Sequence, residues 1–195
     1  MKKYKIVLIS ISVALLASGC GSDNLIKKGV KALNKEDYSL AKECFNEVIE
    51  TEKDIKPDKD KNLVIWSNNM SEAYKGLGIA YYESGEYDKA LEAYIESENF
   101  DGTRTPSMYR NMARCAKEIK EYSSACEYAK TGLELINTGK EEKNMDLVKD
   151  MYIILIESLE ADGNFDEALE WVNEYDDEFP GDPGVEKEIM FLETR

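Results

Sequence analysis

The sequence predicts an all-α protein built from about four helix–turn–helix repeats and closed by a C-terminal capping helix. Lys and Glu are abundant and only four of the 195 residues are proline, a composition that favours helix over sheet. Apolar side chains recur at helical spacing, as at Tyr74, Leu77 and Tyr81. A short motif also recurs four times between residues 38 and 168, which indicates an array of similar units.

The composition excludes several classes of site and partner. The chain has no histidine, so Ser–His and Cys–His pairs, imidazole metal sites and the usual general base near neutral pH are absent. It has 25 basic and 40 acidic residues, for a net charge of −15. Because such a surface repels phosphate backbones, the sequence predicts no nucleic-acid partner.

The first nineteen residues have the organisation of a secretory signal peptide. Three lysines precede an apolar stretch over residues 6–16, and the small residues Ala17, Ser18 and Gly19 follow it. A membrane-spanning helix needs about 20 residues, and the segment from Ile6 to Gly19 has only fourteen. We expect residues 1–19 to direct export and to be removed, which would leave 22 basic and 40 acidic residues and a net charge of −18.

The segment that ends at Cys20 resembles the lipobox of bacterial lipoproteins. It reads Leu16-Ala17-Ser18-Gly19-Cys20, with Ala17 where that family prefers leucine. The resemblance implies that diacylglycerol is attached to the Cys20 thiol and that the chain is cut just before it. Residues 20–24 would then be a lipidated cysteine and a short tether. A cleaved signal peptide with a chance cysteine and an uncleaved membrane anchor are the alternatives.

A lipidated Cys20 would anchor the protein to the cell membrane or to the outer membrane, on the side that faces away from the cytoplasm. Gly21 rather than aspartate follows the cysteine, so the simplest inner-membrane retention signal of double-membraned bacteria is absent. The sequence leaves the choice between the two membranes open.

A short motif recurs four times within residues 25–182, the predicted repeat array. Each copy has an aromatic residue, two intervening positions and an alanine, at Tyr38-x-x-Ala41, Tyr87-x-x-Ala90, Tyr122-x-x-Ala125 and Phe165-x-x-Ala168. Consecutive alanines are 49, 35 and 43 residues apart. The pattern resembles the tetratricopeptide repeat, a helix–turn–helix unit of about 34 residues, with insertions in the first and third intervals. The resemblance implies an α-solenoid in which the first helix of each repeat lines a concave groove that binds proteins or peptides.

Periodicity and turn residues predict the helices in order. Gly85 suits the end of a helix, and Pro183 suits the first turn of one. Residues 183–195 are the predicted cap, whose apolar side chains would cover the end of the array. The predicted helices span residues 25–34, 37–52, 61–84, 87–98, 107–119, 122–136, 144–162, 165–178 and 183–193, with polar connections over residues 54–62 and 138–143.

The repeat register assigns seven residues to a peptide-binding groove. Arg110 and Arg114 are one turn apart and form a basic patch in an acidic chain, and guanidinium groups bind carboxylates through paired hydrogen bonds. Lys75 and Asn111 match the clamp with which some members of the family hold a C-terminal carboxylate. The alternative is that the arginines pair with nearby glutamates such as Glu118. The groove residues are Lys75, Ile79, Tyr82, Arg110, Asn111, Arg114 and Lys117.

Three cysteines remain after Cys20, namely Cys44, Cys115 and Cys126. No two of them have the CxxC spacing that is typical of metal ligands. We interpret them as buried thiols, and a disulfide between Cys115 and Cys126 is the alternative, since exported proteins keep disulfides.

Two acidic patterns are interpreted as surface charge. The run Asp58-x-Asp60-x-Asn62 begins like a calcium loop but lacks the later glycine and the bidentate glutamate. Glu157 and Glu160 lie on one helix face, yet no nucleophile or oxyanion-stabilising arrangement accompanies them. The sequence therefore predicts no metal, no cofactor and no enzymatic activity.

Two functions follow from these features, and an enzyme, whose turnover would disappear on substitution of one or two carboxylates, is a third alternative to which no feature points. The first is a membrane-anchored adaptor that holds a protein or peptide partner in its groove. The second is a structural subunit of an envelope assembly machine, similar to repeat-containing lipoproteins of outer-membrane protein assembly or pilus biogenesis. A stable stoichiometric complex would favour the second function, whereas weak, salt-sensitive peptide binding would favour the first.

Overall fold

The computed structural model describes residues 20–54, 60–100, 104–139 and 144–195, and the predicted signal peptide, residues 1–19, lies outside them. The described residues form nine α-helices and no strands, which confirms the all-α prediction. The helices are α1 (Cys20–Leu33), α2 (Tyr38–Glu52), α3 (Asp60–Glu83), α4 (Tyr87–Asn99), α5 (Pro106–Glu118), α6 (Tyr122–Thr138), α7 (Met145–Ala161), α8 (Phe165–Glu178) and α9 (Val185–Leu192).

Consecutive helices pack in pairs, and the pairs stack along the chain. The four pairs are α1 with α2, α3 with α4, α5 with α6 and α7 with α8. Contacts between α1 and α3 and between α5 and α7 join neighbouring pairs. Val185 and Leu192 of α9 are buried against the last pair, so this helix covers the apolar end of the array. The predicted α-solenoid of four helix–turn–helix repeats with a terminal helix is confirmed.

The repeated motif marks the start of every second helix. The aromatic residues are the first residues of α2, α4, α6 and α8: Tyr38, Tyr87, Tyr122 and Phe165. The alanine three positions later has 0% exposure in all four repeats, at Ala41, Ala90, Ala125 and Ala168. A methyl group is small enough for close approach of the paired helices, and a larger side chain there would overpack the contact.

The turn inside each repeat has the same backbone geometry. The residue two positions before the aromatic has a positive φ of 59–80° in every repeat, at Glu36, Gly85, Lys120 and Gly163. The amide that follows it donates a hydrogen bond of 2.8–3.0 Å to the carbonyl five residues earlier, as from Glu86 to Tyr81. These bonds satisfy carbonyl groups at the end of the first helix, so the chain reverses at a fixed point.

Replacing Gly85 with alanine should destabilise the protein, because a Cβ atom disfavours the left-handed backbone at this position. We expect the free energy of unfolding to fall by about 1 kcal/mol. Lys120→Gly is the matched reverse change, since Lys120 holds the equivalent position with φ 66°, and it should raise stability slightly. Urea denaturation followed by far-ultraviolet circular dichroism measures both variants, and equal losses of stability would contradict the expectation.

Helix α1 begins earlier than the sequence predicts. The sequence predicts a tether over residues 20–24 and a helix that begins at residue 25. In the structure, α1 begins at Cys20. The hydroxyl of Ser22 donates a hydrogen bond of 2.6 Å to Oε1 of Glu52 at the end of α2, and both residues are buried. This tertiary contact holds the first turn in helical form, although serine and aspartate by themselves favour turns and caps.

The connection before α3 is shorter than expected. Asp58 of the calcium-like run lies outside the described residues, whereas residues 60 and 62 belong to the first turn of α3. The 24-residue length of α3 accommodates part of the first insertion between repeats. None of the described helices is both long enough and apolar enough to cross a membrane.

Candidate functional site

The first helices of the repeats share one side of the array. Between α1 and α3 lies a cavity of about 490 Å³, lined in part by Val30, Leu33, Lys75 and Ile79. Between α3, α5 and α7 lies a smaller cavity of about 210 Å³, lined in part by Tyr82, Arg114, Lys117, Asp150 and Ile153. We call these residues, together with Arg110, the groove surface. Five of the seven predicted groove residues therefore line its two cavities.

The centre of the groove surface is a cluster of two arginines and one carboxylate. Nη2 of Arg114 lies 2.9 Å from Oδ2 of Asp150, and Nη1 of Arg110 lies 3.4 Å from the same oxygen. The three side chains are between 29% and 38% exposed. Two guanidinium groups thus share one carboxylate, and the cluster is positively charged in a chain of net charge −15. Because each guanidinium has five N–H donors, the cluster can bind a further anion.

Neighbouring side chains hold the two arginines in place. Nη1 of Arg114 donates a hydrogen bond of 3.3 Å to Oη of Tyr82, and this bond and the charge of Asp150 raise the pKa of Arg114. Oδ1 of Asn111 accepts hydrogen bonds from Nε and Nη2 of Arg110 at 3.1 and 2.9 Å.

The amide of Asn111 is engaged within the protein. Besides accepting from Arg110, it donates a hydrogen bond of 3.1 Å from Nδ2 to Oη of the buried Tyr94. Asn111 therefore positions Arg110 and does not itself line either cavity of the groove surface.

Each of the two cavities of the groove surface has a lysine in its wall. Nζ of Lys117 lies 2.5 Å from Oε2 of Glu157 on α7, and Nζ of Lys75 lies 3.8 Å from Oε1 of Glu72 on its own helix. Both carboxylates are 52% exposed, and exposed pairs contribute at most about 1 kcal/mol each. A carboxylate of a partner can therefore compete for either lysine.

The alternative interpretation of the arginines, in which they pair with a nearby glutamate such as Glu118, names the wrong carboxylate. They do form ion pairs, but the carboxylate is Asp150 on α7 and not Glu118 on α5. Asp150 is 40 residues from Arg110 and 36 from Arg114 along the chain. Helical periodicity places Asp150 on a helix but does not say which residue of α5 it meets, so sequence reasoning does not find it.

The structure has buried free thiols at Cys44, Cys115 and Cys126. Burial raises the pKa of Cys115 to about 12 and that of Cys126 to about 11. Both thiols are therefore protonated near neutral pH and lack the thiolate that nucleophilic chemistry requires. Within the described ranges, no group of Cys, Asp and Glu side chains is arranged to hold a metal ion.

A third cavity, of about 380 Å³, lies between α7, α8 and α9. The carboxylates of Glu157, Glu160 and Glu188 are among its lining groups. Burial, a hydrogen bond with Glu188 and repulsion from Glu188 and Glu157 raise the pKa of Glu160 to about 7. The sequence places Glu157 and Glu160 on one helix face, but Glu188 joins them only because α9 folds back on the last repeat.

Comparison with known protein families gives a match over more than half of the chain. The family described as the tetratricopeptide repeat matches residues 26–100 and 142–183. These segments include α2 to α4, α7, α8 and most of α1, whereas α5 and α6 lie between them. No curated protein matches the chain significantly. The arginine cluster therefore joins α5, in the unmatched part, to α7 in the matched part.

Proposed function

The chain belongs to the tetratricopeptide-repeat family, whose members are typically non-enzymatic scaffolds for protein–protein interaction, and on this premise we propose that it is a lipid-anchored adaptor. In this proposal the groove surface binds an acidic segment of a protein partner. Acyl chains on Cys20 hold the array against a membrane.

The shared carboxylate in the arginine cluster is the observation that carries the binding proposal. Arg110 and Arg114 have one carboxylate between them, and all three groups reach solvent. A carboxylate of the partner would join Asp150 or displace it, because guanidinium groups bind carboxylates in paired geometry. The adjoining cavity, with Val30 and Ile79 in its wall, would take an apolar side chain of the same segment.

The N-terminal sequence supports the anchoring proposal. Three lysines, a short apolar stretch and the run Leu16-Ala17-Ser18-Gly19-Cys20 together are typical of lipoprotein precursors. Helix α1 begins at Cys20 itself, so lipidation there would hold the array directly at the membrane surface. The anchor would lie in the cell membrane or the outer membrane, with the array facing away from the cytoplasm.

Charge reversal in the arginine cluster should abolish partner capture. We expect a crosslinked pull-down from native membranes to lose its partner when Arg110 and Arg114 are both changed to Glu, because like charges would then face the acidic segment. Asp150→Asn should act in the opposite direction and raise capture about three- to tenfold, because it removes the competing carboxylate. Unfolding of the groove would lower specific capture, so a gain in capture of the same partner by a folded variant separates a binding role from a structural one.

The matched control uses the two remaining arginines of the chain. Arg104 and Arg195 lie outside the groove surface, and changing both to Glu produces the same change in net charge. Capture that survives this control and disappears in the Arg110/Arg114 variant supports the groove. Capture that persists in all variants would contradict groove binding and favour a subunit of an envelope assembly machine, with its interface elsewhere. Circular dichroism verifies that each variant retains its helices.

A further inference from the structure

The N-terminal end of α3 extends beyond its neighbours. The hydroxyl of Ser67 donates a hydrogen bond of 2.7 Å to the carbonyl oxygen of Phe100, which follows the last residue of α4. Residues 60–66 of α3 therefore lie past the end of α4. Seven residues at 1.5 Å each correspond to about 10 Å of helix.

This extension has apolar side chains in contact with solvent. Leu63 is 36% exposed, Val64 60% and Ile65 45%, and we call these three residues the overhanging turn. Beside it lies a hollow of about 520 Å³ whose wall includes the aromatic residues Trp66 and Phe100 and three polar residues, Ser67, Asn68 and Asn99. Three consecutive exposed apolar residues next to such a hollow are a recognised feature of interaction surfaces.

The overhanging turn lies on the same edge of the array as Cys20, the edge formed by the N-terminal ends of the first helices of the repeats. Oε1 of Glu52 accepts a hydrogen bond of 2.6 Å from Ser22 and another of 3.0 Å from Nδ2 of Asn69. Ser22 of α1 and Asn69 of α3 are therefore at the same level along the helix axes. Cys20 is two residues before Ser22, which is about 3 Å along the axis of α1 toward its N-terminus. Ile65 is four residues before Asn69, which is about 6 Å along the axis of α3 in the same direction.

Several of the charges described at this end of the helices form ion pairs. Asp23 lies 2.6 Å from Lys27, and Arg104 lies 3.1 Å from Glu98. Lys53 forms an ion pair with Glu50 at the end of α2. These pairs lower the local charge, so the repulsion that an acidic chain ordinarily experiences near a lipid surface is weaker beside them.

We propose that the overhanging turn docks on the lipid surface that holds Cys20, with Leu63, Val64 and Ile65 in the boundary between headgroups and acyl chains. This inference rests on the proposed anchoring of Cys20. Whatever apolar group extends from Cys20, acyl chain or uncleaved apolar segment, it enters the bilayer at this edge of the array. Two contacts, the anchor and the turn, fix the orientation of the array on the membrane, which a single flexible anchor does not do.

Site-specific labelling of the full lipidated chain tests the proposal. Cys44, Cys115 and Cys126 are buried and Cys20 is acylated, so Val64→Cys introduces a single reactive thiol for an environment-sensitive fluorophore. Lys120→Cys is the matched control, because Lys120 is exposed in the turn that follows the C-terminal end of α5, on the opposite edge of the array. Both proteins are reconstituted into vesicles of phosphatidylethanolamine and phosphatidylglycerol, with or without bromine on the acyl chains. Sedimentation of the vesicles, compared with a Cys20→Ser chain, first establishes the anchoring.

We expect brominated lipid to quench the probe at position 64 at least about twofold and to leave the probe at position 120 unchanged. Adding Ile65→Asp should reduce the quenching at position 64, because a carboxylate is costly in the acyl-chain region. Equal behaviour of the two probes on sedimenting vesicles would overturn the docking proposal alone. Shielding of position 64 from both brominated lipid and aqueous iodide would overturn it in favour of a protein contact. A wild-type chain that does not sediment with vesicles would overturn anchoring and docking together.

Discussion

Replacing Phe45 with alanine is expected to lower the free energy of unfolding by about 3–5 kcal/mol, the range typical of phenylalanine deletions in a packed core. Phe45 on α2 has 0% exposure and fills the space between α1 and α3. Its ring faces two glycines, Gly29 on α1 and Gly76 on α3, where an added Cβ would lie 2.7 and 2.3 Å from ring atoms. The cavity left by alanine would therefore open the contact among three helices at once.

Gly76→Ala tests the same contact from the other side. In the wild-type chain the added methyl group would overlap the Phe45 ring and should cost about 1–3 kcal/mol. In the Phe45→Ala chain it would fill part of the cavity and replace a helical glycine, and it should then stabilise the protein by about 0.5–1 kcal/mol. The sign of the effect should thus reverse between the two backgrounds in urea denaturation.

An exposed phenylalanine is the control for this cycle. Phe191 on α9 is 41% exposed, and Phe191→Ala should change the free energy of unfolding by less than about 1 kcal/mol. If Gly76→Ala destabilised both backgrounds equally, the Phe45–Gly76 contact would not be the reason for the glycine.

Glu160→Gln should stabilise the protein above neutral pH. The pKa of Glu160 is raised from 4.5 to about 7 by burial, by the hydrogen bond with Glu188 and by repulsion from Glu188 and Glu157. The folded state thus binds a proton more tightly than the unfolded state. The contribution of Glu160 to stability is therefore present at low pH and is lost as the pH rises from about 4.5 through about 7.

No cation described in this cavity offsets the charge of the pair. Lys149, which lines the same cavity, lies 2.5 Å from Oδ2 of Asp182, and Oη of Tyr175 donates a hydrogen bond of 2.8 Å to the same oxygen. Ionised Glu160 would therefore face Glu188 of α9 and loosen the capping helix. Allowing for partial exposure, we expect the gain of Glu160→Gln over wild type to grow by about 1–2 kcal/mol between pH 5 and pH 8.

Parallel urea titrations at several pH values measure this difference. Glu170→Gln, at an exposed position of α8, is the control for the general effect of removing one negative charge from an acidic chain. A gain that is the same at all pH values, or that Glu170→Gln reproduces, would contradict the assignment to the Glu160–Glu188 pair.

The groove surface and the overhanging turn would cooperate if both proposals hold. Cys20 and the overhanging turn lie on one edge of the array, whereas the arginine cluster lies midway along α5, on the side formed by the first helices. A partner segment in the groove would then lie alongside the array, near the membrane but not in it.

The sequence by itself determined the helices and the turns, because these depend on neighbouring residues. The aromatic-x-x-alanine motif predicted where every second helix begins, and Gly85 marked the turn that follows α3. Pro183 was expected in the first turn of the last helix, but α9 begins two residues later, at Val185. Such features arise from side-chain periodicity, helix capping and backbone conformation, which act over fewer than about six residues.

Tertiary structure decided everything that joins one helix to another. Ser22 extends α1 through a contact with Glu52, thirty residues away, and so overrides the local preference of residues 20–24 for a tether. Asp150 meets the arginines, and Glu188 meets Glu160, only where helices from different repeats stack. Periodicity tells which face of a helix is buried, but the partner of each side chain depends on how the repeats stack on one another, and this stacking is set by the packing of the whole array.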